Sequence, residues 1–268
     1  MEITSPRFLE DLRRTEIVNR LRADSRLRDI DAPGAMDVIG WGQAEFDQPL
    51  GEFSPQDRVL LYAYWNQPGH LAELSEAFRQ LFAETTPTNP IVVDLGCGPF
   101  TGGLALAGQI DPNERIDYVG VDRSRAMREF GEQLASALES IRGTPRIRRH
   151  WADDVDGVRW QARLGWRPVI VIVSFLLASP TLQVNTLLAG LDRLLSRMSR
   201  GPTTVLYTNS PRARANRSYT FFRDALTKAG FRLMADDTGT VQTERATRKL
   251  RYALFHRRKQ GTLTLGDN

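Results

Sequence analysis

Cysteine occurs once in this 268-residue chain, at Cys97. A lone thiol can close no disulfide within the chain and build no multi-thiolate metal site, and it fits a reducing compartment. Histidine is almost as scarce. His70, His150 and His256 are too scattered to show a metal-ligand spacing, so no metal is expected. Long hydrophobic runs are missing as well: the longest, "VIVIVSFLLA" from Val169 to Ala178, is about half the length of a membrane-spanning helix and reads as a buried central strand. The opening "MEITSPRFLEDLRR" mixes both charges and has no apolar leader core, so a cytoplasmic protein with no membrane partner is expected. Neither sign of charge dominates, with 36 Lys and Arg against 32 Asp and Glu.

What the chain does have is concentrated in "PIVVDLGCGPFTGGLALAG", residues 90–108. The β-branched run Ile91-Val92-Val93 predicts a short buried strand that ends at Asp94. Gly96, Gly98, Gly102 and Gly103 follow, a loop able to turn sharply and bring bare backbone against a ligand. Small helix formers, Leu104 to Ala107, complete a strand, glycine loop and helix. The dinucleotide fingerprint G-x-G-x-x-G is not spelled, because Thr101 stands three residues after Gly98 and bulky Phe100 precedes it. The next strand, Tyr118 to Val121, ends in Asp122, at about the 20-residue spacing of a βαβ unit, where a carboxylate can take two ribose hydroxyls. Ser124 is the expected N-cap of the helix after it.

"VVDLGCGPFTGG" followed by "VDRSRAM" resembles the first two motifs of the class I S-adenosylmethionine-dependent methyltransferases, a Rossmann-like family. The resemblance implies S-adenosyl-L-methionine as cofactor. Its methionine part would lie on Asp94, Gly96, Cys97 and Gly98, with the Asp94 carboxylate suited to an ammonium group, while Phe100 replaces the usual third glycine. Asp122, next to Arg123, would hold the ribose, and Met127 would cover the adenine face. Asp153, just beyond a third strand at Arg146 to Trp151, would meet the adenine amino group, whereas Asp154 reads as a helix cap. Ser174, Phe175 and Leu176 would face the transferred methyl. No Asn-Pro-Pro-Tyr, Asp-Pro-Pro-Tyr or Pro-Cys string is present, which disfavours two chemistries on nucleic-acid bases.

The rest of the chain extends this core. "VNTLLAGLDRLLSRMSR" has leucines at helical spacing, "TTVLYTN" reads as a fifth strand, and "SYTFFRDALTKAG" as a helix stopped at Gly230. "FRLMADD" and "KLRYALFHR" are closing strands joined by a long polar connection, "TGTVQTERATR". The expectation is an α/β, Rossmann-like fold: a mainly parallel seven-stranded sheet with helices on both faces, ending in an antiparallel hairpin. Residues 1–85 show no such alternation and predict a helical N-terminal extension, with turns at "DAPG" and "NQPGH"; residues 86–268 form the cofactor domain.

Ser54 and Pro55 open a helix whose aromatics Tyr62, Tyr64 and Trp65, with His70 shortly after, lie just before the cofactor domain. In the family such extensions lid the site, which makes Tyr62, Tyr64 and His70 the candidate catalytic groups. The same aromatics could equally glue helices to the sheet. Arginine clusters at "RIRRH", "PRARANR" and "RATRKLRYALFHRRKQ" would suit RNA, but they also suit a solvated surface. A small-molecule or peptide acceptor is the preferred partner, ahead of RNA.

Overall fold

Short β-branched runs and intervening amphipathic helices assemble into one seven-stranded sheet in the computed structural model, which describes residues 7–83, 86–141, 144–160 and 165–258. The N-terminal stretch carries its order in helices: α1 (Arg7–Arg13), a π turn at Arg14–Val18, α2 (Asn19–Ala23), α3 (Ser25–Arg28), α4 (Ala32–Val38), a 3-10 turn at Gly40–Gly42, and, after an irregular segment over 43–54, α5 (Pro55–Trp65) and α6 (Gln67–Leu81). From β1 (Ile91–Leu95) the chain alternates through α7 (Thr101–Ala107), β2 (Arg115–Val121), α8 (Arg125–Glu139), β3 (Arg146–Ala152) and β4 (Val169–Ser174). It continues with α9 (Val184–Met198), β5 (Thr203–Asn209), α10 (Tyr219–Lys228), β6 (Arg232–Gln242) and β7 (Thr247–Arg257).

Strand order is β3-β2-β1-β4-β5-β7-β6, parallel except for β7, which runs antiparallel to both its neighbours. This is the Rossmann-like arrangement expected from the sequence. Alternation along each strand divides the core between the two faces. Val92, Ile116, Tyr118, Ile170 and Ile172 face a cluster with the N-terminal helices, α7 and α8. Ile91, Val93, Val119, Val171 and Val173 face α9 and α10. Each buried branched side chain stabilises the fold by roughly 1.5–3 kcal/mol, so the central strands β1 and β4 anchor both layers.

Four sequence expectations need correction. "DAPG" and "NQPGH" are helix starts and not turns: Asp31 caps α4 by accepting from the Gly34 N–H, and α4 and α6 each carry a proline in their first turn, where no helical N–H is missed. "VIVIVSFLLA" stops being strand at Ser174, because Phe175 turns left-handed (φ 56°) and Leu176–Ala178 form a 3-10 turn. Most of the polar connection before β7 is strand, since β6 runs to Gln242 as the exposed edge of the sheet, where polar side chains face water on both sides. No helix follows Asp154, which closes a turn by accepting from the Gly157 N–H at 2.5 Å. Other local readings hold: Ser54 and Asp57 form a reciprocal capping box, and Ser124 caps α8 through the Met127 N–H.

Of the tail cluster, Lys259 and Gln260 lie outside the described residues, as do residues 1–6. Among the described residues no helix is long and apolar enough to cross a membrane.

Candidate functional site

The carboxyl ends of β1, β2 and β4 open into a cavity of about 710 Å³. Its floor is the glycine loop. Gly96 and Gly98 take left-handed conformations (φ 68° and 51°), as does Phe100 (φ 67°). A Cβ added at Gly98 would meet nothing within 4 Å, so the bare backbone there faces open space. Phe100 packs inward with no exposed surface, its ring 4.8 Å from that of Tyr118 and 6.1 Å from Trp151. From behind, the buried Gln67 amide of α6 donates to the Pro99 carbonyl and to Thr101 Oγ1. The loop is thereby held by packing on one side and left open on the other.

Asp122 stands at the cavity wall. Its Oδ2 accepts from the Gly98 N–H and its Oδ1 from the Ser124 N–H, both at 2.9 Å. Burial pushes the carboxyl above its usual range, while those two N–H groups and the guanidiniums of Arg128 and Arg123 pull the other way and lose. Each oxygen keeps a further acceptor site, so a ligand offering two hydroxyls would satisfy what the protein leaves open. Met127, Asp153, Asp154, Arg123 and Ser174 line the same space. Arg123 is paired with Glu45 at 2.5 Å, Asp153 accepts from the Asp154 N–H, and Ser174 Oγ accepts from Thr208.

Two expected loop contacts are not in the cavity wall. Asp94 is buried with its Oδ2 taken by the Tyr118 hydroxyl at 2.6 Å, and Cys97 is buried in the core. Strand parity explains the first: Asp94 shares the face of Val92, beneath α7, and not the open edge. Burial, opposed by the Tyr118 bond and aided by the nearby Asp122 charge, pushes the Asp94 carboxyl up to about 7. The same burial pushes the Cys97 thiol well up, leaving it a neutral packing group.

The N-terminal candidates separate. Tyr62 lines the cavity, and burial with the Asp122 charge pushes its phenol upward, so it stays an O–H donor at neutral pH. His70 sits one layer back, its ring 4.0 Å from that of the cavity residue Phe175, with Nδ1 3.2 Å from the buried Glu73. Glu73 in turn accepts from Arg248 on β7. Tyr64 is elsewhere, packed on Trp65 and faced by the guanidiniums of Arg13 and Arg245.

Sequence reading missed a further segment of the cavity wall, Gly42 to Asp47, which lies against the start of α8 beside Asp122. Gly40, Trp41 and Gly42 all have positive φ (55°, 54° and 86°), which bends the chain back along the cavity and leaves Trp41 72% exposed. Asp47 then caps α8, accepting from Ser124 Oγ and from the N–H groups of Arg125 and Ala126 at 2.8–2.9 Å. Those bonds overcome burial and hold its carboxyl below the usual range. The only sequence signal was the doubled glycine around Trp41.

No protein-family model matches the chain, and no curated protein matches it. Solved structures do. The SAH-bound magnesium protoporphyrin IX methyltransferase of Synechocystis PCC 6803 is 18% identical, with 85% of this chain and 100% of that one covered and a TM-score of 0.44. A SAM-dependent methyltransferase from Leishmania major is 11% identical over 81% and 82%, at a TM-score of 0.48. The N-methyltransferase NodS of Bradyrhizobium japonicum WM9, in complex with S-adenosyl-L-homocysteine, is 14% identical over 68% and 84%, at 0.43. The reading of the site rests on this chain's own strand order, loop and carboxylate.

Proposed function

We propose that this chain is an S-adenosyl-L-methionine-dependent methyltransferase of the cytoplasm, acting on an N or O nucleophile of a small molecule or peptide. The observation that carries the reading is one cavity walled by the bare backbone of Gly96 and Gly98 and by Asp122, with acceptor sites to spare. The cofactor, when bound, supplies an electrophilic methyl on a sulfonium. Gly96 and Gly98 would hold its amino-acid part through backbone groups, Asp122 its ribose hydroxyls, and Met127 and Asp153 its adenine. Asp94 acts on this reading at one remove, by fixing the loop from below.

Methyl transfer is an in-line displacement, so orientation and exclusion of water can supply much of the acceleration. Residues 42–47 and Tyr62 line the cavity together with Ser174 and Phe175, which supports residues 1–85 as a lid over the domain formed by 86–268. Tyr62 is suited to donate a hydrogen bond to the acceptor. For an acceptor that must lose a proton, His70 is the nearest imidazole, reached past Phe175.

Calorimetry on the purified chain tests the cofactor: S-adenosylhomocysteine binds and NADH does not. Tight NADH binding without a response to S-adenosylhomocysteine would overturn the reading. Transfer of a labelled methyl to a cell extract split into RNA, protein and small-molecule fractions then places the acceptor. Label in none of them, with cofactor binding intact, would mark a binding module.

A further inference from the structure

After β5 the chain enters "NSPRARANR", residues 209–217. This loop is tightly wired. The Asn209 side chain has no exposed surface and donates to the Tyr207 hydroxyl (3.0 Å) and the Ala215 carbonyl (2.9 Å). Its own Oδ1 accepts from the Ser210 N–H. The Tyr207 hydroxyl donates to Asn216 Oδ1 at 2.8 Å, and Asn216 Nδ2 reaches the carbonyls of Ser210 and Arg212. Two asparagines and a tyrosine thus satisfy the backbone of a turn that no helix or strand would satisfy.

That turn presents Arg212, Arg214 and Arg217, all exposed, whose guanidinium groups have no ion-pair or hydrogen-bond partner among the described residues. The neighbouring acids are taken: Asp224 by Arg223, and Asp236 by Arg251 and the Tyr219 hydroxyl. Among the described residues no carboxylate pairs with any of the three. The turn at Ala213–Asn216 packs on Leu176–Ala178, the segment whose Leu176 walls the cavity. Three like charges within six residues repel one another, and an anion docked between them would relieve that repulsion.

We infer that Arg212, Arg214 and Arg217 form an anion-recognition rim, and that the methyl acceptor is a phosphate-bearing molecule whose phosphate docks there. The guanidinium fork matches phosphate oxygens two at a time. This inference rests on the methyltransferase reading for the word acceptor, but the rim is tested without it.

Inorganic pyrophosphate and a labelled single-stranded RNA 20-mer serve as probes against the full chain, read by calorimetry and fluorescence anisotropy. The variant is Arg212→Gln/Arg214→Gln/Arg217→Gln. Its charge-matched control is Arg7→Gln/Arg22→Gln/Arg200→Gln, three exposed arginines elsewhere on the chain whose guanidiniums have no partner among the described residues and line no cavity. The expected result is at least a tenfold loss of affinity in the rim variant only, with S-adenosylhomocysteine binding unchanged in both. RNA affinity that falls steeply with salt in the native chain, and less steeply in the rim variant, would identify nucleic acid as the source of the phosphate. Pyrophosphate binding with no RNA binding would identify a small molecule. Equal losses in rim and control variants, or no binding of either probe, would overturn the inference. The single Arg214→Gln change, with a melting curve, repeats the test should the triple variant fold poorly. Absence of S-adenosylhomocysteine binding in the native chain would instead refute the cofactor reading and leave the rim result standing.

Discussion

The carboxyl ends of β1 and β2 are neighbours in the sheet and carry the same residue type, Asp94 and Asp122, yet they do different work. Asp94 is sealed beneath α7, with one strong donor in Tyr118 and no open side. Asp122, one residue past its strand, leaves the pleat, collects two backbone N–H groups and still faces the cavity. An acidic strand end is therefore not one kind of site. Its place in or beyond the pleat decides whether it is sealed beneath the helix or faces the cavity.

The largest effect that sharpens the contrast is on stability. Because folding raises the Asp94 carboxyl to about 7, the folded state holds a proton that the unfolded chain releases near 4. Stability then falls as pH climbs between those values and stays reduced above them, by an amount on the order of a few kcal/mol. Asp94→Asn removes that dependence. Its melting temperature relative to the native chain should be higher at pH 8 than at pH 5, and a pH-independent difference would break the comparison.

Next comes affinity. Asp122→Ala should weaken S-adenosylhomocysteine binding by about 2 kcal/mol, roughly 30-fold, because two hydroxyls lose a charged partner. Asp94→Asn should stay within about tenfold of the native affinity, and the reverse ranking would exchange the two roles. In the native chain, calorimetry should show affinity declining as pH falls through a range above that of an ordinary carboxylate, since on the proposed role the ionised Asp122 would accept from both hydroxyls and its protonation is favoured by burial.

A smaller effect reports the N-terminal clamp. Asp47→Ala should cost about 1 kcal/mol in chemical denaturation, the usual value of an N-cap, even though Ser124 still caps the helix. The smallest belongs to Asp154, whose carboxylate closes an exposed turn. Asp154→Ala should change S-adenosylhomocysteine affinity by less than about 0.5 kcal/mol.

The glycine loop, both acidic strand ends, Ser124 and Met127 were legible because each depends on residues within one turn of chain. Tyr64 and His70 were not separable from Tyr62 by that means. All three belong to one helical, aromatic stretch, and only the packing of α5 and α6 on the sheet puts Tyr62 at the cavity, His70 behind Phe175 and Tyr64 against Arg245. The second half of β6, Thr238 to Gln242, read as part of a loop because its partners are supplied by β7 across a turn, not by its own composition.

By itself the sequence determined the alternation of strands and helices from β1 onward, the glycine loop after β1 and the local N-caps Ser54 and Ser124. These follow from local sterics, side-chain period and hydrogen bonds made within a few residues. The tertiary structure decided that Asp94 is sealed beneath α7, that Gly42 to Asp47 walls the cavity from nearly 80 residues upstream of the helix it caps, and that the turn carrying Arg212, Arg214 and Arg217, unpaired among the described residues, packs on Leu176–Ala178. Those outcomes depend on contacts between segments remote in the chain, whose energies no local pattern records.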